Sequence, residues 1–370
     1  MAIKFIHTAD IHLGTKSAFG GGQVRLYLRQ ALQRLVGLAL QEKADLLLIA
    51  GDLFDSPRVS TATSVLVTKA LTELTTAGVR VVILPGTHDA YDSSSPYHTF
   101  KLPENAHLIT PQDPSYLFDD LPGIVFVTGK PYIKASYNEN ALSGLSPHPQ
   151  AGLNIAMVHG SVVGQVSEDA MLIYPQELAK SGFDYIALGH WHSFREISKK
   201  PRAVYPGAME PTAKDQTGTG RVIVAEFDPV GKTLSTHYQQ VGKIRIENLC
   251  FKVEPLTKPE DLYSLFAQRK DSDLVLFLEL SGVAGPGFML DREDFLAEYG
   301  ANFLYLEVIN HLQPVEEFSA SDFGERTIAG HFASLVAEEI GAAKSDDERA
   351  FLSEVLNEGL RRLGKGADSI

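Results

Sequence analysis

Residues 5–14 read FIHTADIHLG and residues 45–55 read DLLLIAGDLFD, and in both segments a short apolar run ends at an aspartate. The apolar runs have the length and composition of buried strands. Asp10 follows the first run, and Asp52 follows the second. The same arrangement, a buried strand followed at once by side chains that can bind a metal, recurs along the chain and predicts both the fold and the site.

Three further clusters have this form. Residues 86–89 (GTHD) follow VVILP, His159 follows LNIAMV, and residues 189–192 (GHWH) follow FDYIAL. In an open α/β sheet, ligands bind in the crevice at the carboxyl ends of the strands. We therefore expect all five clusters to converge there, although a single histidine at a strand end is more often a surface residue.

The residue types in these clusters indicate a metal site. Asp and His supply oxygen and nitrogen ligands without sulfur, which suits manganese, iron or zinc. The Asp10/His12 and His190/His192 pairs follow strands on turns, where alternate residues can both point into the crevice. Asp52 has two carboxylate oxygens and can bridge two cations. Two cations about 4 Å apart are a known arrangement for in-line attack on a phosphate ester.

The apolar pattern predicts an α/β architecture. Early strands alternate with helices, as in parallel βαβ units, whereas later strands lie closer together and are partly antiparallel. Two packed sheets with helices outside account for both halves. A composition shift near Gly242 predicts a boundary between domains. The main predicted elements are helices over 23–42, 60–77 and 259–268 and strands over 3–6, 45–50, 79–84, 153–158, 184–188, 221–227, 233–240 and 244–253.

On these motifs the sequence resembles the calcineurin-like metallophosphoesterases and, within them, the SbcD-type DNA repair nucleases, the nuclease half of the SbcC–SbcD complex. FIHTADIHLG, GDLFD and GHWH are especially similar. The resemblance covers residues 1–242 by motif and the remainder by layout. It implies a four-layer α/β/β/α sandwich as the nuclease domain, an α+β cap domain over residues 243–317, and a C-terminal helical segment over residues 321–363 that docks a partner.

The resemblance also implies a role for each site residue. The implied metal ligands are Asp10, His12 and His192 for a first metal, His159 and His190 for a second, and Asp52 between them. His88 would stabilise the scissile phosphate or protonate the leaving 3′ oxygen, with Asp89 orienting it from behind. Asp55 takes the place of a substrate-side histidine of some relatives. Trp191 stacks on a substrate base or packs the loop.

Position 87 departs from the family pattern Gly-Asn-His-Asp/Glu, in which the asparagine amide oxygen binds the second metal. Thr87 is shorter, and its neutral hydroxyl is a poorer ligand. Three outcomes are open: a weakened second site with activity retained, a preference for another metal, or DNA-end binding with little hydrolysis. We expect hydrolysis to be retained and the second metal to be more easily lost.

The implied function is a DNA nuclease of repair and recombination with two divalent ions, expected to be manganese. It would act as an exonuclease on duplex ends and an endonuclease on single strands. The implied partners are an SbcC-like ATPase docked through the C-terminal helices and a second copy of the chain, with contributions from helices near 60–77 and 91–105. The alternatives are a small-nucleotide phosphodiesterase and a DNA-end-binding subunit with impaired catalysis. The C-terminal helices can instead fold onto the chain's own core.

Charge and cysteine content bear on DNA binding and on the cellular location of the protein. The 370 residues carry a net charge of −13, of which −2 lies in residues 1–240 and −11 in residues 241–370. The nuclease domain is thus nearly neutral, and two dications would add positive charge where phosphate approaches. We expect weak, salt-sensitive DNA binding by the chain alone. With Cys250 as its single cysteine and no run long enough to span a membrane, the protein is expected in the cytoplasm.

Overall fold

The structure, a computed structural model, describes residues 1–364 except residues 16, 18, 20, 165–169, 255–256, 286–287, 289 and 315–326. The described helices are α1 Gly21–Glu42, α2 Thr61–Thr76, α3 Pro175–Lys180, α4 Pro259–Ala267, α5 Arg292–Tyr299, α6 Ile328–Ala342 and α7 Asp346–Gly364. The strands are β1 Ile3–Thr8, β2 Leu46–Ala50, β3 Arg80–Leu84, β4 Ala106–Leu108, β5 Ser115–Phe118, β6 Val125–Lys130, β7 Leu153–Val162, β8 Met171–Ile173, β9 Tyr185–Gly189, β10 Arg195–Lys199, β11 Arg202–Tyr205, β12 Gly218–Asp228, β13 Thr233–Val253, β14 Asp271–Ala284 and β15 Phe303–Pro314.

The strands form two sheets. The first has the order β15-β14-β13-β12-β1-β2-β3-β4, in which β1 to β4 pair in parallel and β12 pairs antiparallel to β1. The second has the order β10-β11-β9-β7-β6-β5, with β8 paired to β7. Its β6, β7, β9 and β11 are parallel. The five ligand clusters lie at or near the carboxyl ends of five strands, which are β1, β2, β3, β7 and β9.

Burial of β2 on both faces explains why its sequence is continuously apolar. Its side chains alternate between the two faces of the sheet. Leu47 and Ile49 pack in a core with α1 and α2, whereas Leu46 and Leu48 pack in a second core with residues of β7. Alternate residues of β7 then reach a third core that contains Leu178 of α3. Helices, two sheets and a further helix therefore stack as the α/β/β/α sandwich expected from the sequence.

The chain divides into two compact units, and the division differs from the predicted boundary at residue 242. The first unit comprises Met1–Leu249, Lys270–Phe277 and Leu296–Glu307, and the second comprises Cys250–Arg269, Leu278–Phe295 and Val308–Ile370. Strand β13 runs without interruption through Gly242, where a Cβ would come within 2.5 Å of the Met209 carbonyl oxygen. The glycine therefore permits a close backbone approach inside a strand and does not end one.

Two other expectations concern helices. The prediction of a helix near residues 91–105 is wrong, because the only helical element in that segment is the 3₁₀ turn Pro96–His98. The two C-terminal helices are present as α6 and α7, which pack together through Ala329, Ala333 and Leu360. Residues 315–326, which end the predicted cap and begin the predicted docking segment, lie outside the described residues. Among the helices that are described, none has the combined length and apolarity of a membrane span.

Candidate metal centre

The loops that follow β1 and β2 run side by side. The Asp10 N–H donates to the Gly51 carbonyl over 3.1 Å, and the His12 N–H donates to the Asp52 carbonyl over 2.9 Å. These bonds extend the parallel pairing of β1 and β2 beyond the strand ends. The two aspartates that open the predicted site are therefore adjacent because their strands are neighbours.

Half of the described non-glycine residues with a positive φ are predicted ligands. Positive φ angles occur at Asp10 (52°), His12 (49°), Asp52 (51°) and His190 (106°). Residues with a Cβ rarely adopt this region, and each such residue costs about 1–3 kcal/mol. Such strain typically accumulates where a binding or catalytic geometry requires it, and here it falls on four of the predicted ligands.

A first group of ligand atoms comes from Asp10, His12 and His192, whose donor atoms lie within 4.8 Å of one another. The Nε2 atoms of His12 and His192 are 3.0 Å apart. The side-chain amide of Gln216 contacts His192 Nδ1 and leaves Nε2 facing His12. Sequence reasoning missed Gln216 because it follows no strand end.

A second group comes from Asp10, Asp52 and His159. His159 Nε2 lies 3.3 Å from Asp52 Oδ2, and its Nδ1 lies 3.0 Å from the Ala50 carbonyl oxygen. Donation from Nδ1–H to that carbonyl leaves Nε2 as the free ligand atom. The Thr87 hydroxyl is 3.2 Å from Asp52 Oδ2 and 3.5 Å from His159 Nε2, so Thr87 lies beside this second group.

Asp52 joins the two groups. Its Oδ2 is 3.3 Å from His159 Nε2 and 3.7 Å from His12 Nε2. Its Oδ1 accepts a hydrogen bond of 2.8 Å from the His88 N–H. One carboxylate oxygen thus faces both groups while the other is fixed by the loop after β3.

His190 lies next to the second group. Its N–H donates to both carboxylate oxygens of Asp10, over 2.9 and 3.1 Å, and its ring is 5.3 Å from the His159 ring. The groups of three ligand atoms found among the described residues do not include its ring nitrogens. Its role as a second-metal ligand therefore stays a prediction.

Asp55, expected on the substrate side of the site, contacts two histidines. Its carboxylate lies 3.2 Å from His12 Nδ1, and its carbonyl oxygen lies 3.0 Å from His88 Nδ1. The His12 and His88 rings meet edge to face at 4.7 Å. Asp55 is therefore placed to orient a predicted ligand and the predicted catalytic histidine together, a position that no strand-end motif reveals.

The described hydrogen bonds of the Asp89 carboxylate go to partners other than His88, so the expected orienting role of Asp89 stays a prediction. The carboxylate of Asp89 is completely buried and accepts hydrogen bonds from the N–H of Gly86 (2.7 Å), the N–H of Phe54 (3.1 Å) and the hydroxyl of Tyr97 (2.7 Å). The His88 ring itself has a different described partner, the Asp55 carbonyl oxygen. Asp89 ties the loop after β3 to the loop after β2.

Burial and charge oppose each other within the site. Burial raises the pKa of Asp10 to about 6. The charge of Asp52 adds to this increase, and the charge of His159 opposes it. Burial also acts to raise the pKa of Asp52, but His159 and His12 outweigh it and hold the value low. The Asp52 and Asp10 carboxylates likewise overcome burial and raise the pKa of His159 to about 9. A cation must compete with protons for these ligands, so metal affinity will rise with pH.

A cavity of about 220 Å³ opens over the site. Trp191 lines it and also packs against the apolar core on the outer side of the second sheet, so both roles considered for Trp191 remain compatible with its position. His88 is the exposed histidine of the cavity, whereas Asp10, His12, Asp52 and His159 are buried. The cavity lining comprises Asp52, Thr87, His88, His190, Trp191, His192, Ser193, Asp215 and Gln216.

Comparison with known proteins agrees with this site. The sequence model of the calcineurin-like phosphoesterase family matches residues 3–194, a range that contains all five strand-end clusters. The metallophosphoesterase YhaO of Bacillus subtilis, whose activity is uncharacterized, is 26% identical over 97% of this chain and 90% of its own length. The similarity to that relative therefore includes the C-terminal third.

Two archaeal relatives carry a functional name. The DNA double-strand break repair protein Mre11 of Methanopyrus kandleri is 27% identical over 62% of this chain. The protein of the same name from Aeropyrum pernix is 29% identical over 58%. The matches span only 55% and 56% of those two proteins.

Proposed function

This chain belongs to the calcineurin-like phosphoesterase family, and we propose that it is a metal-dependent nuclease that hydrolyses phosphodiester bonds of DNA. The observation that carries the proposal is the pair of ligand groups, which share Asp10 and are spanned by Asp52, with the exposed ring of His88 at the same cavity. A phosphoester hydrolase needs metal ligands and a proton-transfer group that the substrate can reach. The described side chains provide both.

The donor set fits two divalent ions. His12 and His192 direct ring nitrogens at each other 3.0 Å apart, an arrangement that a shared cation stabilises. The residues that would hold the ions are Asp10, His12, Asp52 and His192 for one, and Asp52, His159, His190 and Thr87 for the other. When bound, such a pair supplies a hydroxide nucleophile near neutral pH and neutralises charge on the phosphoryl oxygens. Nitrogen and oxygen donors without sulfur suit manganese, iron or zinc, and we propose manganese on the resemblance to SbcD-type enzymes.

His88 supplies the proton chemistry in this proposal. Its Nδ1–H donates to the Asp55 carbonyl, and its N–H donates to Asp52. These bonds fix the ring and leave Nε2 as the atom that can approach a bound phosphodiester. From there it can donate a hydrogen bond to a phosphoryl oxygen or pass a proton to the leaving 3′ oxygen.

DNA is the proposed substrate, with exonuclease action on duplex ends, endonuclease action on single strands, and a role in repair as in SbcD-type enzymes. The name shared by the two archaeal relatives supports this choice over a small-nucleotide phosphodiesterase. The near-neutral charge of residues 1–240 is compatible with it. We place the activity in the cytoplasm, consistent with a single cysteine.

We also propose an SbcC-like ATPase and a second copy of this chain as partners. Within the second unit, Ile328 and Leu335 of α6 and Phe351 of α7 remain exposed although the helices pack together. Apolar side chains exposed on a helical pair are typical of a docking surface. Deletion of residues 321–370 should abolish association with the ATPase and leave hydrolysis of a small phosphodiester intact.

The test of the nuclease proposal is incubation with linear duplex DNA and Mn²⁺, together with bis(p-nitrophenyl) phosphate as a small substrate. His88→Ala should lose at least about a hundredfold in rate, the usual contribution of a general acid or base. His98→Ala is the matched control, since His98 is exposed, contacts the Asp92 carbonyl and the Tyr91 ring, and belongs to neither ligand group. Hydrolysis that survives His88→Ala would overturn the assignment of this residue, and a wild-type protein inactive on both substrates would overturn the function.

A further inference from the structure

A second groove continues from the candidate metal centre along the surface of the first unit. It encloses about 250 Å³ and shares His192, Ser193 and Gln216 with the cavity over the ligands. The remaining lining residues are Phe194, Pro206, Ala208, Pro211, Thr217, Gly218, Thr219, Gly220 and Arg221. A substrate held at the metal centre can therefore extend into this groove without leaving the surface.

An aromatic pair lies at the groove: Phe194 lines it, and Tyr238, which lies outside the lining, contacts the Phe194 ring. Phe194, two residues after the ligand His192, is 39% exposed, and Tyr238 of β13 is 56% exposed. Their rings are 5.7 Å apart at 56°. The guanidinium of Arg221 lies 4.6 Å from the centre of the Tyr238 ring. Hydrophobic surface and a fixed positive charge are thus combined beside the metal centre.

The local fold produces this combination. Arg221 of β12 pairs with Gln240, and Ile223 pairs with Tyr238, so Arg221 and Tyr238 are diagonal neighbours on the antiparallel ladder. Phe194 reaches them from the turn that begins with the GHWH cluster. Single exposed aromatics are common on protein surfaces, but two neighbouring rings beside an arginine, each with about two fifths or more of its surface in water, are not explained by packing alone.

We propose that Phe194, Tyr238 and Arg221 form a stacking platform for the base of a nucleotide next to the scissile phosphate in single-stranded DNA. The proposal rests on the proposed nuclease function and adds to it the class of strand that the site prefers. Every base offers a flat π face, so stacking binds single strands with little sequence preference, and arginine adds cation–π and phosphate contacts. In duplex DNA the same base faces are already stacked on their neighbours.

The backbone around the platform leaves room for a base. Pro206, Pro211 and Gly218 line the groove with short or absent side chains. At Gly218, which has a φ of +94°, a Cβ would meet no atom within 4 Å. The groove is therefore open at Gly218, which leaves space there for part of a nucleotide.

The experiment compares Phe194→Ala and Tyr238→Ala with the wild type on a twelve-nucleotide oligo(dT) and on bis(p-nitrophenyl) phosphate, both with Mn²⁺. Each variant should lower the ratio of kcat/KM for oligo(dT) to that for the small substrate by about tenfold, the effect of losing one stacked base. Phe194→Trp should restore the ratio. Tyr137→Ala is the control, because Tyr137 is similarly exposed (53%) and lies outside the groove.

A binding measurement without metal separates the two proposals. The fluorescence anisotropy of labelled oligo(dT) in EDTA at low salt should show binding that is about tenfold weaker for Phe194→Ala than for the wild type. Equal affinity of the wild type and Phe194→Ala would overturn the platform, even in an active enzyme. An enzyme inactive on both substrates whose oligo(dT) binding still depends on Phe194 would overturn the hydrolytic function and retain the platform.

Discussion

The Thr87 hydroxyl donates a hydrogen bond of 3.2 Å to Asp52 Oδ2, the oxygen that faces both ligand groups. The hydroxyl thereby occupies a lone pair of Asp52 Oδ2 that a second cation would use. The threonine hydroxyl is itself a poor metal ligand. Thr87→Asn should supply an amide oxygen at this position and tighten the second metal by about tenfold, the lower end of what one group around a metal contributes. Isothermal titration calorimetry with the metal ion measures the affinity of the second site in both proteins.

The variant Thr87→Val separates the hydroxyl from the shape of the side chain. We expect Thr87→Val to bind the second metal no more tightly than the wild type, with hydrolysis retained in both proteins. Equal occupancy and equal turnover in the wild type and Thr87→Asn would show that the departure at this position has no effect.

Asp55 should act through His12. Its carboxylate 3.2 Å from His12 Nδ1 fixes the ring and makes Nε2 a stronger ligand. Asp55→Ala is therefore expected to weaken binding of the first metal by about 10- to 100-fold. Glu139→Gln, which removes a surface ion pair with Lys130, provides the control. Unchanged metal affinity with a raised KM for DNA would instead favour a substrate-side role for Asp55.

Asp89 should act on stability. Asp89→Asn places an N–H₂ group against one of three buried donors and should cost about 2–3 kcal/mol in the free energy of unfolding. Tyr97→Phe removes a single hydrogen bond to the carboxylate and should cost about 1.5 kcal/mol. Urea unfolding measures both values. Wild-type stability with a loss of turnover in Asp89→Asn would instead favour the predicted role of Asp89 in orienting His88.

Local pattern was sufficient to predict the parallel strands and the clusters that follow them. The run LLLIA is apolar on both faces because β2 is buried between two layers, and such a run is recognisable without any alignment. The alternation of strand and helix then places successive strand ends at one edge. The proximity of Asp10 and Asp52 follows directly from that topology, whereas His159 reaches them from β7 of the second sheet, which packs face to face against the first.

Side-chain direction and long-range pairing could not be predicted in this way. Asp89 follows His88 in the chain, yet its carboxylate turns toward Gly86, Phe54 and Tyr97, because three buried donors there need an acceptor. Gly242 has the composition of a break but lies within β13, where the requirement is close backbone packing. Both features depend on neighbours distant in sequence or on orientations that periodicity does not encode.

Buried His7 should make the stability of the protein depend on pH. It has no exposed surface, its Nδ1 lies 2.9 Å from the Tyr185 hydroxyl, and burial lowers its pKa to about 3 from an ordinary 6.5. Between these values the unfolded chain binds a proton that the folded chain does not, so the free energy of unfolding falls as the pH falls. The slope is about 1.4 kcal/mol per pH unit, which gives a loss of about 2 kcal/mol from pH 7 to pH 5.

The variant His7→Gln removes the titrating ring while keeping a side chain that can bond to Tyr185. It should be less stable than the wild type at pH 7, yet its free energy of unfolding should fall by about 2 kcal/mol less between pH 7 and pH 5. Urea unfolding in EDTA at the two pH values measures this difference without linkage to metal binding. His98→Gln, at an exposed histidine, should keep the wild-type pH dependence. The same pH dependence in His7→Gln and the wild type would show that His7 is protonated as readily in the folded protein as in the unfolded chain.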